Sequence, residues 1–162
     1  MKILLVIFSL VVLKFTAEAQ LKVTPVCPDF LVDILDGSIN KVDPKSTLGA
    51  IKTAFPCYTD VSEDATGSNC NGVFYKDKGV YFYTDRNYFE IRENYKGKFT
   101  LPLMGSSRSN LFKTLGNPAI KDINWDAFQM RYGCLVLYYN KSGKINKIQV
   151  STKSTQSLKL CE

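Results

Sequence analysis

The chain aligns with itself, and a duplicated unit limits the architecture before any single residue is interpreted. Residues 37–53 lie over 97–114 with one inserted residue, both stretches ending in Lys-Thr, and residues 79–91 lie over 133–148 with small gaps. The order of matches is the same in both copies. The expected organisation is repeat 1 over 37–93 and repeat 2 over 97–150. A signal peptide (1–19) and an N-terminal segment (20–36) precede them, and a C-terminal tail (151–162) follows.

Each copy opens with a short alternating stretch (Ile39, Val42; Phe99, Leu101, Leu103) that suits an extended lead-in. A short helix is predicted next. In copy one Asp43-Pro44 offers a cap and a first-turn proline, with Leu48, Ile51 and Phe55 on one face; in copy two Ser106 or Ser107 caps, with Leu111, Phe112 and Leu115 on one face. Pro56 stops the first helix, and Gly116 and Pro118 stop the second. Strands rich in Tyr, Phe, Val and Ile follow, at 73–75, 80–83 and 88–92, then at 128–132, 135–139 and 144–150. Hairpin turns fall at 76–79, 84–87 and 140–143, where Asn, Asp and Gly tolerate positive φ. The pattern predicts an α+β fold of two degenerate repeats, each a short helix packed on a three- to four-stranded antiparallel meander. About 70 residues make a marginal core, so the copies are expected to share an interface or a continuous sheet.

The first residues read as an address. Lys2 precedes an apolar run at 3–13, and Ala17-Glu18-Ala19 places small residues at a cleavage site, giving an expected mature chain of 20–162. The run is short for a helix spanning ~30 Å of hydrocarbon, which leaves an uncleaved anchor as the lesser alternative. Gln20 stands where a bacterial lipoprotein would carry Cys, which disfavours lipid anchoring. A secreted or periplasmic location is expected.

All five cysteines (Cys27, Cys57, Cys70, Cys134, Cys161) lie in the expected mature part, where export makes disulfides the default. The preferred pair is Cys57 with Cys70, which would close the polar loop between them. Cys134 with Cys161 is the second expectation, pinning the tail and leaving Cys27 free or intermolecular. Five cysteines allow fifteen choices of two bridges, and an odd thiol leaves the oligomeric state open.

At repeat 2 the sequence reaches a known pattern. Residues 104–118 (Met-Gly-Ser-Ser-Arg-Ser-Asn-Leu-Phe-Lys-Thr-Leu-Gly-Asn-Pro), Trp125, and residues 133–145 (Gly-Cys-Leu-Val-Leu-Tyr-Tyr-Asn-Lys-Ser-Gly-Lys-Ile) resemble the repeat shared by the β-lactamase inhibitor protein and the SmpA/OmlA outer-membrane assembly lipoproteins. The match covers about 45 residues of copy two; copy one is degenerate, with Phe55-Pro56-Cys57 in place of Leu-Gly-x-Pro. The resemblance implies a tandem α+β protein in which helices pack on antiparallel sheet and an exposed face binds another protein, in binders or assembly factors rather than enzymes. No lipidated Cys and no inhibitory loop can be mapped, so neither specific activity carries over.

Chemistry is limited by the absence of His, which removes the usual base, metal ligand and pH switch. Ser109 and Lys113 are spaced i, i+4 on the second helix, where a solvated surface is the favoured reading over a Ser-Lys pair. Carboxylates for glycosidase-like work could come from Asp60, Glu63, Asp64, Asp85, Glu90 and Glu93, and residues 60–69 could supply oxygens to calcium, but without the order of a calcium loop. No catalytic residue, metal or cofactor is expected. Aromatics crowd the strands, and the outward set Tyr81, Tyr83, Trp125 and Tyr138 would make an amphipathic contact surface, with packing against the other repeat as the equal alternative. Arg86, Arg131, Lys141, Lys144 and Lys147 fall at strand ends or turns and would make the patch basic. Asn140-Lys-Ser142 fits a glycosylation sequon as well as a turn.

Charge is uneven: residues 20–93 hold 8 basic and 11 acidic side chains (net −3), and residues 94–162 hold 11 basic and 3 acidic (net +8). The expected function is an exported protein-binding module, inhibitor-like or envelope-assembly-like, whose partner is another extracytoplasmic protein. No specific nucleic acid is expected. An extracytoplasmic enzyme without His, or a binder of polyanions, cell wall or anionic membrane, are the alternatives, the last driven by the basic half.

Overall fold

The structure is a computed structural model and describes residues 24–63 and 70–161. The expected signal peptide (1–19), Gln20, Asp64 and the rest of 64–69 therefore lie outside the described residues. The fold is α+β, with two small helices and mostly antiparallel sheet. Strands β1 (Leu31–Asp33), β2 (Ser38–Ile39) and β7 (Lys98–Phe99) form a small sheet in the order β2-β1-β7. The large sheet contains β3 (Asp60–Ser62), β4 (Gly72–Tyr75), β5 (Val80–Tyr83), β6 (Tyr88–Arg92), β8 (Ile120–Lys121), β9 (Trp125–Met130), β10 (Gly133–Tyr139) and β11 (Ile145–Ser151). Its order is β3-β4-β5-β6-β11-β10-β9-β8, antiparallel at every pairing. Two meanders of four strands thus meet at the β6–β11 seam. The short outer strands β3 and β8 were not expected from the sequence, because two or three residues carry too little alternation to register.

Turn chemistry closes the hairpins. Gly79 (φ 67°) ends the β4–β5 turn and Asn87 (φ 53°) the β5–β6 turn, both in the left-handed region that those residue types tolerate. At the β10–β11 turn the Asn140 side-chain oxygen accepts from the Ser142 and Lys144 amides, both at 3.0 Å. The first long strand of the second meander begins and ends earlier than expected, at 125–130 rather than 128–132, because Gly133 pairs with Met130 and pulls 131–132 into the turn.

Helix α1 (Leu48–Ala54) is capped by Thr47, whose hydroxyl accepts from the Ala50 amide at 3.2 Å. The expected cap, Asp43, instead accepts from the Lys45 amide at 2.7 Å and closes a separate turn before the helix. Ile51 and Phe55 are fully buried one turn apart, and the Tyr75 hydroxyl donates to the Phe55 carbonyl at 2.7 Å, tying the helix end to β4. Phe30 stacks on Phe55 with ring centroids 4.7 Å apart. The second helix is shorter than expected: a 3₁₀ turn at Arg108–Asn110 leads to α2 (Phe112–Leu115), which Gly116 (φ 74°) ends after one turn. Leu111 is buried there and Leu115 packs against the core, but Phe112 is 63% exposed on the other side of the turn. Arg108 holds this segment to β9 through both carboxylate oxygens of Asp126, which also accepts from the Tyr139 hydroxyl at 2.7 Å.

The core lies between one face of the large sheet and the layer made by α1, the small sheet and their connections. Val73, Phe82, Phe89, Ile91, Leu135, Leu137, Ile148 and Val150 line the sheet side, each 1% exposed or less. They come from both meanders and form one contiguous cluster with Phe30, Val32, Ile51 and Phe55.

The disulfides are Cys27–Cys57 and Cys70–Cys161, and Cys134 is free and buried. Both expected pairings, Cys57–Cys70 and Cys134–Cys161, are corrected. Cys57 follows α1 on the core side, where the N-terminal segment passes, so Cys27 is its neighbour. Cys134 faces the other side of β10 and packs with Ala127, Val136 and Leu158, while the tail carries Cys161 past it to Cys70.

Candidate functional site

The second face of the large sheet is a grid set by strand register. One row runs Tyr83–Tyr88–Ser151–Cys134–Gln129 across β5, β6, β11, β10 and β9. The next runs Phe74–Tyr81–Glu90–Gln149–Val136–Ala127 from β4 to β9, and the third runs Arg92–Lys147–Tyr138–Trp125 from β6 to β9. Period-two alternation puts these residues opposite the core-facing ones. The tail 152–161 crosses part of this face. Thr155 donates its amide to Gln129 at 3.2 Å, Leu158 packs on Ala127, Cys134 and Val136, and the Cys161 amide donates to the Tyr88 hydroxyl at 2.9 Å before the disulfide to Cys70.

Beside the tail lies a depression lined by Ser62, Phe74, Tyr83, the Cys70–Cys161 disulfide, Arg92 and Lys147, with Glu90 buried between the two cations. Glu90 is only 2% exposed, at the β6–β11 seam. Its carboxylate accepts from Arg92 Nε at 2.5 Å and Gln149 Nε2 at 2.8 Å, and lies 3.8 Å from Lys147 Nζ. Arg92 lies over the Tyr81 ring at 3.8 Å and Lys147 over the Tyr138 ring at 4.0 Å. Burial alone would lower the Arg92 pKa, but the hydrogen bond and charge of Glu90 outweigh it and raise it. Burial, and then the Glu90 charge, pushes the Tyr83 phenol up, so its hydroxyl stays a donor at neutral pH. Cations, ring faces and one buried carboxylate make a surface suited to recognition by contact.

Of the residues singled out from the sequence, Tyr81, Tyr83, Trp125 and Tyr138 share this face. Trp125 and Tyr138 are directly opposite each other, with ring centroids 6.5 Å apart. Tyr81 is buried under Arg92, while Tyr83, Trp125 and Tyr138 are half-buried. The basic candidates are divided. Arg86 and Arg131 sit in turns at the Tyr88–Ser151–Cys134 end, Arg131 being an exposed partner of Asp36 at 3.4 Å, whereas Lys141 and Lys144 are exposed in the β10–β11 turn at the opposite end. Arg92 and Gln149 are not singled out from the sequence, and Glu90 is named there only among carboxylates for glycosidase-like work. The signal was present in Tyr88-Phe-Glu-Ile-Arg92, where alternation puts Glu90 and Arg92 on the face opposite Phe89 and Ile91. Among the described residues no group of His, Cys, Asp or Glu side chains is placed to hold a metal ion, and no helix is long and apolar enough to cross a membrane. No protein-family model, no curated protein and no solved structure matches the chain.

Proposed function

We propose that this is an exported protein-binding module, inhibitor-like or envelope-assembly-like, that holds another secreted or periplasmic protein on the second face of its large sheet. The observation that carries the reading is the sharing of that face by half-buried Tyr83, Tyr138 and Trp125 with two cations seated on ring faces. Aromatic and arginine side chains held in place are the groups that dominate protein interfaces. Two disulfides fit the oxidising compartment that this role requires. The reading includes two degenerate copies of one unit. In its support, the self-matching stretches 79–91 and 133–148 fall on β5–β6 and on β10 with the first half of β11, the two inner hairpins on either side of the seam.

The test is capture from the source organism's envelope and secreted fractions by the native protein and by a Tyr83→Ala, Trp125→Ala, Tyr138→Ala variant whose thermal unfolding remains cooperative. A stoichiometric partner held by the native protein and lost by the variant is the expected result. Retention of the same partner by the variant, or no partner, overturns the assignment of this face.

A further inference from the structure

Resting on that reading, we propose that the depression over Glu90 receives a carboxylate side chain from an acidic segment of the partner protein, held between Arg92 and Lys147. Two cations share one carboxylate in the depression, and the carboxylate is sealed while the cations are not: the side chains of Arg92 and Lys147 are 44% and 33% exposed, that of Glu90 3%. An approaching molecule therefore meets a surplus of one positive charge, which a single monoanion balances.

Geometry favours the same occupant. Lys147 and Arg92 are directly opposed across β11 and β6, and both reach the same Glu90 carboxylate, so one incoming carboxylate can bridge them. Arg92 commits Nε to Glu90, and a guanidinium has further N–H donors on its outer edge. Stacking on Tyr81 and Tyr138 holds both cations before anything binds, which reduces the rotamer entropy lost on association. Ser62, Phe74, Tyr83 and the Cys70–Cys161 disulfide line the same depression as the two cations, so an incoming side chain meets ring and disulfide surface beside the charge.

The probe is an end-capped hexaglutamate peptide, with hexaglutamine as control, titrated into the full exported chain at low ionic strength and followed by calorimetry and by the NMR shift of the Arg92 side-chain N–H. We expect hexaglutamate to bind and hexaglutamine not to. Lys147→Gln should weaken binding about tenfold, the scale of one lost charge-assisted contact. Glu90→Gln, which keeps both cations and removes the buried negative charge, should tighten it. Because Arg92→Gln also strips Glu90 of its partner, the Arg92→Gln/Glu90→Gln pair is the folded control, and it too should bind more weakly than Glu90→Gln alone. Hexaglutamate binding unchanged by Lys147→Gln overturns the inference. So does binding of heparin or phosphatidylglycerol vesicles that depends on Lys147 and that hexaglutamate fails to displace. If the captured partner is lost with the aromatic variant but kept by Lys147→Gln, this inference fails and the face assignment stands; the reverse pattern keeps the carboxylate site and removes the aromatic contact assigned to Tyr83, Trp125 and Tyr138.

Discussion

Cys134 shows how a single residue's surroundings set its chemistry. It sits on β10 with no exposed surface, under Leu158 of the tail and against Ala127 and Val136, and burial pushes its thiol from 9.0 up to about 11. At pH 8 the thiolate fraction is then about 100-fold below that of an unfolded thiol, so iodoacetamide should label the native protein at least that much more slowly than the urea-unfolded one. Rapid native labelling would contradict the burial. The same shift links to stability. Folding holds the proton, so the increment, about 3 kcal/mol, is fully present below pH 9 and is lost as pH rises to 11. The difference in unfolding free energy between the native protein and Cys134→Ser should shrink over that window, and a difference constant from pH 7 to 11 would sink the account. Nothing local to Cys134 in the sequence distinguishes it from the bonded cysteines, since its partnerless state follows from which face of β10 it occupies.

At the scale of elements, the tail acts as a strap tied at one end by a covalent bond. Its hold on the sheet is Leu158 on a small apolar cluster, two contacts to Gln129 and one to Tyr88, with Cys161 bonded to Cys70 across a sequence separation of 91. On the loop-closure account that bond is worth about 4.5 kcal/mol, against about 3.5 for Cys27–Cys57 with its separation of 30. Cys161→Ser with Cys70→Ser should lower the melting temperature more than Cys27→Ser with Cys57→Ser. It should also speed alkylation of Cys134, since release of the strap uncovers it. Equal Cys134 labelling in the two variants would show that the strap does not cover the thiol. The helices were legible as segments but not as lengths: Thr47 rather than Asp43 caps α1, because the carboxylate of Asp43 is taken by its own turn.

The whole molecule depends on the seam between its halves. Phe89 faces Val150 and Ile91 faces Ile148 across β6 and β11, all four fully buried and continuous with the cluster around Phe30 and Phe55. A free half would expose this row and an unpaired strand edge. Residues 20–96 and 97–162 expressed separately should therefore show no cooperative urea transition by circular dichroism, whereas the joined chain should show one. A cooperative transition in either piece alone would mean that each half has its own sufficient core. Parallel pairing of β1 with β7 strengthens the dependence, as it joins Leu31 and Val32 to Lys98 and Phe99 from the other side of the cut.

Alone, the sequence determined the features that are local in the chain. Alternation fixed the faces of the inner strands, with 80–83 and 88–92 matching β5 and β6 residue for residue, and Gly, Asn and Asp set the hairpin turns. It also put Tyr81, Tyr83 and Tyr138 on strands where one side must face away from the core, while Trp125 fell ahead of the strand expected at 128–132 and joins β9 only in the structure. Tertiary structure alone decided which meander edge meets which, which cysteines become neighbours, and that Glu90 is sealed beneath Arg92 and Lys147 while Arg86 and Arg131 lie far from Lys141 and Lys144. Those outcomes depend on contacts between residues dozens of positions apart, whose closure entropy is offset only when the shared core forms as a whole.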